Sequence, residues 1–553
     1  MYRPTKDAQI SISDRYVFAS TQTKKAVDSS RAKLVGDVIY PNIDEDKFAP
    51  LFSDIASRPN ESIRRYVSAL VLKRVYTISD GIMLEMLRCG AVNFQYALHT
   101  TDEDTQPLSE SSLRRFRRKI EEYNKEHHCD LIKEEFVRIS ILMAINMGLL
   151  GADPDTENEE GSVLLRMDSM EIEAHAKAMS RIEILYTTNI IVLRYLIKKG
   201  FKSIIPESFE HYYKKGDRNR LVYHRAKEDQ ALGKKDTRIS ELVQEMLCLK
   251  DVMEKNFSEG LLEQIPEYVI FIRVLGEQTM TDENGATVPK ASKDISPNSV
   301  QNPFDTTVTY RHKQKGHHGF VMNAIEAVDD NGNGIIVDAD IEQNTVNDSD
   351  MAEAYIERQP DNGPQQKVSV DGAYYNDDLA ERAKAKNIEL MPTALTGTEP
   401  YDIDADFVLN EEQTAVVTCP CGKVPVSNKC NENTGMIIAT MPDNCCANCP
   451  YLWKLCNVRI NKKKGTSKVR ISGKMVDRAQ MARRITAEEG KENARRRNGV
   501  EGIMSVMRRK YGLDHLPVFG LSRYKTWVWT TLLSYNLAKY QKYLAAQNRA
   551  MAK

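Results

Sequence analysis

The chain has 553 residues, enough for two to four domains with sizeable cores. Its composition, 41% hydrophobic and 28% charged with a formal net charge of −1, is that of an ordinary soluble protein. No apolar run approaches the roughly 18 residues that span a bilayer, and the N-terminal stretch Met1–Ser20 lacks the apolar segment of a signal peptide, so a cytoplasmic location is expected.

The near-zero net charge hides an asymmetry. Acidic stretches Asp153–Glu160, Asp338–Asp350 and Glu399–Glu412 offset basic runs at Lys462–Lys464, Arg495–Arg497 and Arg508–Lys510. A basic C-terminal region suits a polyanionic partner, although solvated basic faces are common. Three cysteines, Cys89, Cys129 and Cys248, are scattered and read as small buried hydrophobes.

Residues from about Asp44 to Glu126 read as helical. Apolar and basic residues interleave over Ile63–Tyr76, Ser79-Asp80 caps a second helix, and Ser109 or Ser111 caps a third. The third helix turns Leu113, Phe116 and Ile120 inward, with Arg114, Arg115, Arg117, Arg118 and Lys119 facing outward. Such an order suits a helix-turn-helix whose last helix meets DNA, with a plain bundle as the alternative. A further helix, Asp130–Met147, leads to the acidic loop Gly151–Gly161.

Ser162–Ser169 is predicted as a short apolar strand ending in Asp168. An Asp there starts a turn or carries chemistry, as strand ends in α/β sheets do. Helical sequence follows from Arg181 to Gln278, then a polar loop, Thr281–Asn302. Strands are predicted at Thr306–Lys313, Gly319–Val328 and Ile335–Ile341, the last two joined by the turn Asp329–Gly334. A helix, Ser349–Arg358, precedes a second apolar strand that ends in Asp371. Helix Asn376–Lys386 and strand Ile388–Met391 complete a mixed α/β sheet broken by long insertions.

The insertion from about Thr393 to Val476 holds seven cysteines between Cys419 and Cys456. Clustered thiols in a reducing compartment suit Zn²⁺, with a buried or redox-active cluster as the alternative. The selected ligands are Cys419, Cys446, Cys449 and Cys456. Cys421, Cys430 and Cys445 remain open as substitutes. Four thiolates leave no open position, so this zinc is expected to be structural.

Beyond the insertion, Val500, Ile503, Met504 and Met507 form one apolar helix face. Arg497, Glu501 and Arg508 share a second stripe about 90° round. Taken alone, that stripe reads as a solvated ion pair. A turn, Pro517–Gly520, leads to a last helix from about Arg523 to Ala546. Trp527, Val528, Leu532, Tyr535 and Leu537 are its packing positions, with base stacking by the aromatics as the alternative.

With Asp168, Asp371 and Glu501 in view, the chain resembles the DDE transposases of bacterial insertion sequences, in the group with a cysteine-rich insertion before the catalytic Glu. The resemblance rests on Leu113-Arg-Arg-Phe-Arg117, Leu165-Arg-Met-Asp-Ser169, Asp305–Lys313, Gly319-Phe320, Val370–Tyr375, Cys446-Ala-Asn-Cys-Pro450, Arg497–Gly502 and Asn536-Leu537. It implies a ribonuclease-H-like catalytic fold and an acidic triad of Asp168, Asp371 and Glu501. Many relatives place the Glu in a pattern of Tyr, Arg, Glu and Lys; here Arg497 matches the Arg, Arg508 replaces the Lys, and Ala494 stands at the Tyr position.

The expected layout is a helical DNA-binding region over 1–150 and a catalytic domain over 160–395 and 478–553. The catalytic domain carries a helical insertion over 175–300, and the cysteine-rich insertion spans 396–477. Three converging carboxylates repel one another unless cations neutralise them. Two Mg²⁺ or Mn²⁺ ions about 3.5–4 Å apart suit the oxygen donors and in-line phosphoryl chemistry. Arg497 and Arg508, with Arg114, Arg117 and Arg118, are the expected DNA contacts. The expected activity is cleavage at terminal inverted repeats followed by strand transfer, performed by a dimer on double-stranded DNA. No G-x-x-x-x-G-K-[ST] phosphate loop occurs, so no nucleotide cofactor is expected. The rivals are a ribonuclease-H-like nuclease without strand transfer and a zinc-stabilised DNA-binding protein without catalysis. Strand-transfer products and metal-dependent nicking separate them.

Overall fold

A six-stranded mixed sheet lies at the centre of the protein, whose computed structural model describes residues 2–5, 14–53, 60–101, 108–150, 162–213, 234–312, 316–442, 445–452, 456–461 and 466–551. The acidic loop 151–161 and the lysine run 462–464 lie outside the described residues.

The N-terminal region is helical, as expected. Helices α1 (Ile63–Tyr76), α2 (Asp80–Arg88), α3 (Glu110–His127) and α4 (Leu131–Asn146) begin at Ser62, Ser79, Ser109 and Asp130, each of which caps its helix through the side chain. Leu113, Phe116 and Ile120 are buried on the inner face of α3. Its outer face is less simple than the alternation suggests. Arg117 turns back to the Asp80 carboxylate, which also pairs with Lys73, and Lys119 Nζ donates to the Leu51 carbonyl at 2.6 Å.

The sheet is built from β1 (Val163–Glu173), β2 (Thr309–His312), β3 (Gly316–Val328), β4 (Gly334–Gln343), β5 (Gln366–Val370) and β6 (Ile388–Pro392). Along its path the order is β2-β3-β1-β5-β6, and β4 pairs with the remainder of β3. β3 is antiparallel to β1, β2 and β4, whereas β1, β5 and β6 run parallel. Two helices, α8 (Asp348–Arg358) and α9 (Asp377–Lys384), connect the parallel part.

Between β1 and β2 stand α5 (Arg181–Lys198), α6 (Lys234–Asn256) and α7 (Pro266–Gln278), around an apolar core of their own. The loop expected over Thr281–Asn302 instead starts within a small hairpin, Thr279–Thr281 with Thr287–Pro289. The cysteine-rich segment carries a four-stranded antiparallel sheet, β7 (Ser427–Asn431), β8 (Met436–Met441), β9 (Val458–Asn461) and β10 (Thr466–Ser472), in the order β7-β8-β10-β9. Ile437, Ala439 and Met441 alternate inward there. Cys89 and Cys248 are exposed rather than buried.

Three long helices close the chain: α10 (Gly473–Thr486), α11 (Glu488–Tyr511) and α12 (Leu521–Met551). Val528, Leu532, Tyr535 and Leu537 are buried on α12, while Trp527 is half-buried under the Arg74 guanidinium, 3.2 Å from its ring centre. One apolar cluster runs from the N-terminal helices through the sheet into α11 and α12. No helix among the described residues is long and apolar enough to cross a membrane.

Candidate active site

The parallel ladder between β1 and β5 runs from Val163↔Gln366 to Arg166↔Ser369. Continuing that register by two residues sets Asp168 and Asp371 at the same end of the ladder between two neighbouring strands. Asp371 directly follows the end of β5, where its Oδ1 accepts the Gly372 N–H at 2.7 Å. Asp168 does not end its own strand, as the sequence reading expected. β1 continues to Glu173 because β3 pairs with it along its whole outer side, from Leu165↔Ala327 to Glu173↔Gly319. Gly319 permits that pairing: a Cβ there would lie 2.0 Å from the Ile172 carbonyl oxygen. Asp168 therefore lies just beyond the parallel ladder but within the strand.

Glu501 comes from α11, which starts at Glu488. Val500, Ile503, Met504 and Met507 are all buried, so the apolar face is as predicted. The contacts that hold this helix on the sheet were not anticipated. Arg166, two residues before Asp168 on the same face of β1, pairs with the fully buried Glu326 on β3 and donates to the Arg496 carbonyl at 2.8 Å. Gly499 makes room for it. Nearer the N-terminus of α11, the Ser369 hydroxyl donates to the Asn493 side chain, whose Nδ2 donates to the Met391 carbonyl at 2.9 Å. The available signal for Arg166 was a charge inside an apolar strand, in period-two phase with Asp168.

The three acids meet around one guanidinium. Arg497 Nη2 lies 3.2 Å from Asp168 Oδ1 and 3.8 Å from Asp371 Oδ2, and Nη1 lies 3.8 Å from Glu501 Oε1. The Arg497 and Asp168 side chains are largely buried, Asp371 is half exposed and Glu501 is mostly exposed. Burial pushes the Asp168 carboxyl above the usual carboxylate range, against the Arg497 guanidinium and the Ser169 N–H, which favour its charged form. Beside it, the Ser169 hydroxyl donates to Asp348 Oδ1 at 2.9 Å, and the Tyr374 hydroxyl donates to buried Asn323 at 3.0 Å. Three formal negative charges face one positive charge here. Arg508 lies two turns beyond Glu501, exposed.

Hard carboxylate oxygens, with no thiol or imidazole among the three, fit Mg²⁺ or Mn²⁺ by their chemistry. Among the described residues, however, no three His, Cys, Asp or Glu side chains are arranged to hold a metal ion as they stand. At the triad the carboxylates fan around Arg497 instead.

The other predicted sites divide in the same way. On α3, Arg114 and Arg118 are exposed, with Arg118 3.5 Å from Glu122, whereas Arg117 is committed to Asp80. In the cysteine-rich segment Cys421 Sγ lies 3.0 Å from Cys449 Sγ. Burial pushes the Cys421 thiol up to about 12, and its neighbours Cys449, Cys419 and Cys456 push it in the same direction. Cys446 instead sits 3.6 Å from Cys445. Cys421 is thus near Cys419, Cys449 and Cys456, and Cys446 is near Cys445 and Cys456, so the selected Cys446 and its open substitute Cys421 both border Cys456.

Neither the curated proteins nor the solved structures contain a match to the chain. Two family models do match. Residues 23–119 match the model described as a transposase domain (DUF772), and residues 418–541, which include Glu501 and Arg497, match the one described as a transposase DDE domain. Together the two matches indicate an insertion-sequence DDE transposase.

Proposed function

We propose that this transposase binds the terminal inverted repeats of its element, cuts the DNA there and joins the freed ends to a target, with Asp168, Asp371 and Glu501 as the catalytic acids. The observation that carries the reading is their meeting around Arg497, although more than 300 residues separate the first from the last. An acid on the central strand, a second after its parallel neighbour and a third on the covering helix support a ribonuclease-H-like catalytic domain.

The three carboxylates would hold two Mg²⁺ or Mn²⁺ ions, which when bound supply Lewis-acid activation of the attacking oxygen and stabilisation of the leaving one. In cleavage, a water oxygen bonds to phosphorus and the 3′-oxygen leaves with a proton. In joining, that 3′-hydroxyl bonds to a target phosphorus, a target 3′-oxygen leaves, and the proton passes to it. The number of phosphodiesters is unchanged in joining, so no ATP is needed. Asp168 and Asp371 are fixed by two strands, Glu501 by a helix pinned through Arg166 and Asn493, so the acids keep their spacing through both steps. Arg497 and Arg508 hold backbone phosphates about one and two turns from Glu501 along α11, and Arg114 and Arg118 add contacts from α3.

The cysteine-rich segment, on this reading, carries a structural zinc. The thiol contacts favour Cys419, Cys421, Cys449 and Cys456 as its ligands. The active form is a homodimer on DNA, in the cytoplasm. A plasmid carrying the element's ends tests the reading: Asp168→Asn, Asp371→Asn and Glu501→Gln should each reduce nicking and strand transfer at least about 100-fold while end binding persists. Undiminished cleavage by any one removes that acid from the set.

A further inference from the structure

Resting on the proposed role of the triad, we infer that Arg497 acts as the triad's resident cation and couples metal loading to DNA binding: the site takes a divalent ion readily only when a phosphodiester draws the guanidinium away. The geometry of Arg497 differs from that of a settled ion pair. Charge-assisted N–H···O bonds close to about 2.7–2.9 Å and arginine favours two-point contact with one carboxylate. Arg497 makes one contact at 3.2 Å and two at 3.8 Å, spread over three carboxylates. Its Nε is buried and has no hydrogen-bond partner among the described residues. A buried donor left unmade is a standing cost that a phosphate oxygen would relieve.

Charge points the same way. One guanidinium leaves two of the three negative charges uncompensated, so the pocket attracts divalent cations while its middle is occupied. The nearby Arg166 offers no second cation, because it is spent on buried Glu326 and the Arg496 carbonyl. A backbone phosphate that engages Arg497 removes the competitor and uncovers the carboxylate oxygens together. Coupling of this kind is reciprocal, so a bound divalent ion must also raise affinity for DNA. Order follows from it: the acids stay without metal, and idle, until DNA is present.

The test measures Mn²⁺ binding to the full chain by the paramagnetic resonance of free Mn²⁺, without DNA, for the unchanged protein, Arg497→Gln, and each with Asp371→Asn added. A parallel arm measures the affinity of a fluorescent 30-base-pair duplex in Mn²⁺ and in a chelator, for the unchanged chain and Arg497→Gln. Expected is Mn²⁺ binding at least about tenfold tighter in Arg497→Gln, abolished by Asp371→Asn, since a unit charge within a few ångströms is worth at least that factor. Duplex affinity of the unchanged chain should rise several-fold in Mn²⁺, and that rise should shrink in Arg497→Gln. Equal Mn²⁺ affinities with and without Arg497, still dependent on Asp371, overturn the inference and leave the triad standing. Mn²⁺ binding indifferent to Asp371→Asn in both backgrounds overturns the triad itself. Arg497→Lys, which keeps the charge and the fold, should bind Mn²⁺ nearly as weakly as the unchanged chain.

Discussion

Gly499→Ala sets two effects of opposite sign against each other on α11. In an exposed helix interior, Ala is more stable than Gly by about 0.8–1.0 kcal/mol. At Gly499 the new Cβ would lie 2.0 Å from Arg166 Nη1. The tip of a long side chain usually moves aside at little cost, but Arg166 is buried and held by Glu326 and by the Arg496 carbonyl. Displacing it strands a fully buried carboxylate, and breaking a buried pair costs about 3–5 kcal/mol. The net expectation is a loss of about 2–4 kcal/mol. Gly502, three residues on in the same helix, has nothing within 4 Å of its virtual Cβ, so Gly502→Ala should gain up to about 1 kcal/mol. Urea titrations followed by circular dichroism compare the two. If both substitutions shift the midpoint upward, Arg166 does not pass over Gly499 and the account of how Glu501 is positioned is wrong.

Three further outcomes follow from the same contacts. Arg114→Ala and Arg118→Ala should each weaken duplex binding and lower the salt slope by roughly one. Arg117→Ala should instead lower the melting temperature, by about 1–3 kcal/mol of stability, because it leaves half-buried Asp80 with Lys73 alone; anisotropy and thermal melts separate the two classes. His99 stacks on Tyr40 with ring centres 4.0 Å apart, and burial lowers its pKa. A lowered folded-state value means stability is full above the ordinary histidine value of about 6.5 and falls as pH drops below it. Melts at pH 7.5 and 5.5 should show that loss, and His99→Gln should reduce it; an equal loss in both proteins refutes the assignment. Finally, Cys421→Ser and Cys449→Ser should strip zinc from the purified chain, measured by metal mass spectrometry, while Cys446→Ser retains most of it. The opposite pattern favours the set with Cys446.

What could be read from the sequence was periodic or capped. The 3.6-residue face of Val500, Ile503, Met504 and Met507, the serine caps at Ser79 and Ser109, and the Asp329–Gly334 turn all appear where local rules put them. The length of β1 escaped, because strand ends depend on partners: β3, nearly 150 residues later, extends β1 beyond Asp168. Arg166, Asn493 and Gly499 escaped for a related reason. Their function lies in contacts across the fold: beyond the oddity of a charge in an apolar strand at Arg166, their immediate neighbours do not signal it. In the cysteine-rich segment the thiols drew the reading away from an alternation over Met436–Met441 that was present all along, and spacing could not choose among seven cysteines whose mutual contacts, such as Cys421 with Cys449, arise only on folding.

Asn536, inside α12, accepts the Ile336 N–H at 3.0 Å, donates to the Ile336 carbonyl at 2.8 Å and donates to Ser140 on α4 at 2.9 Å. One amide thus stitches the rim of the sheet to the N-terminal helices, within an apolar core that the two share. Those bonds and the shared core tie the seam from both sides. On the proposed function, a duplex gripped by α3 would meet the acids at a fixed offset, and the frame, like a caliper, would set the place of the cut.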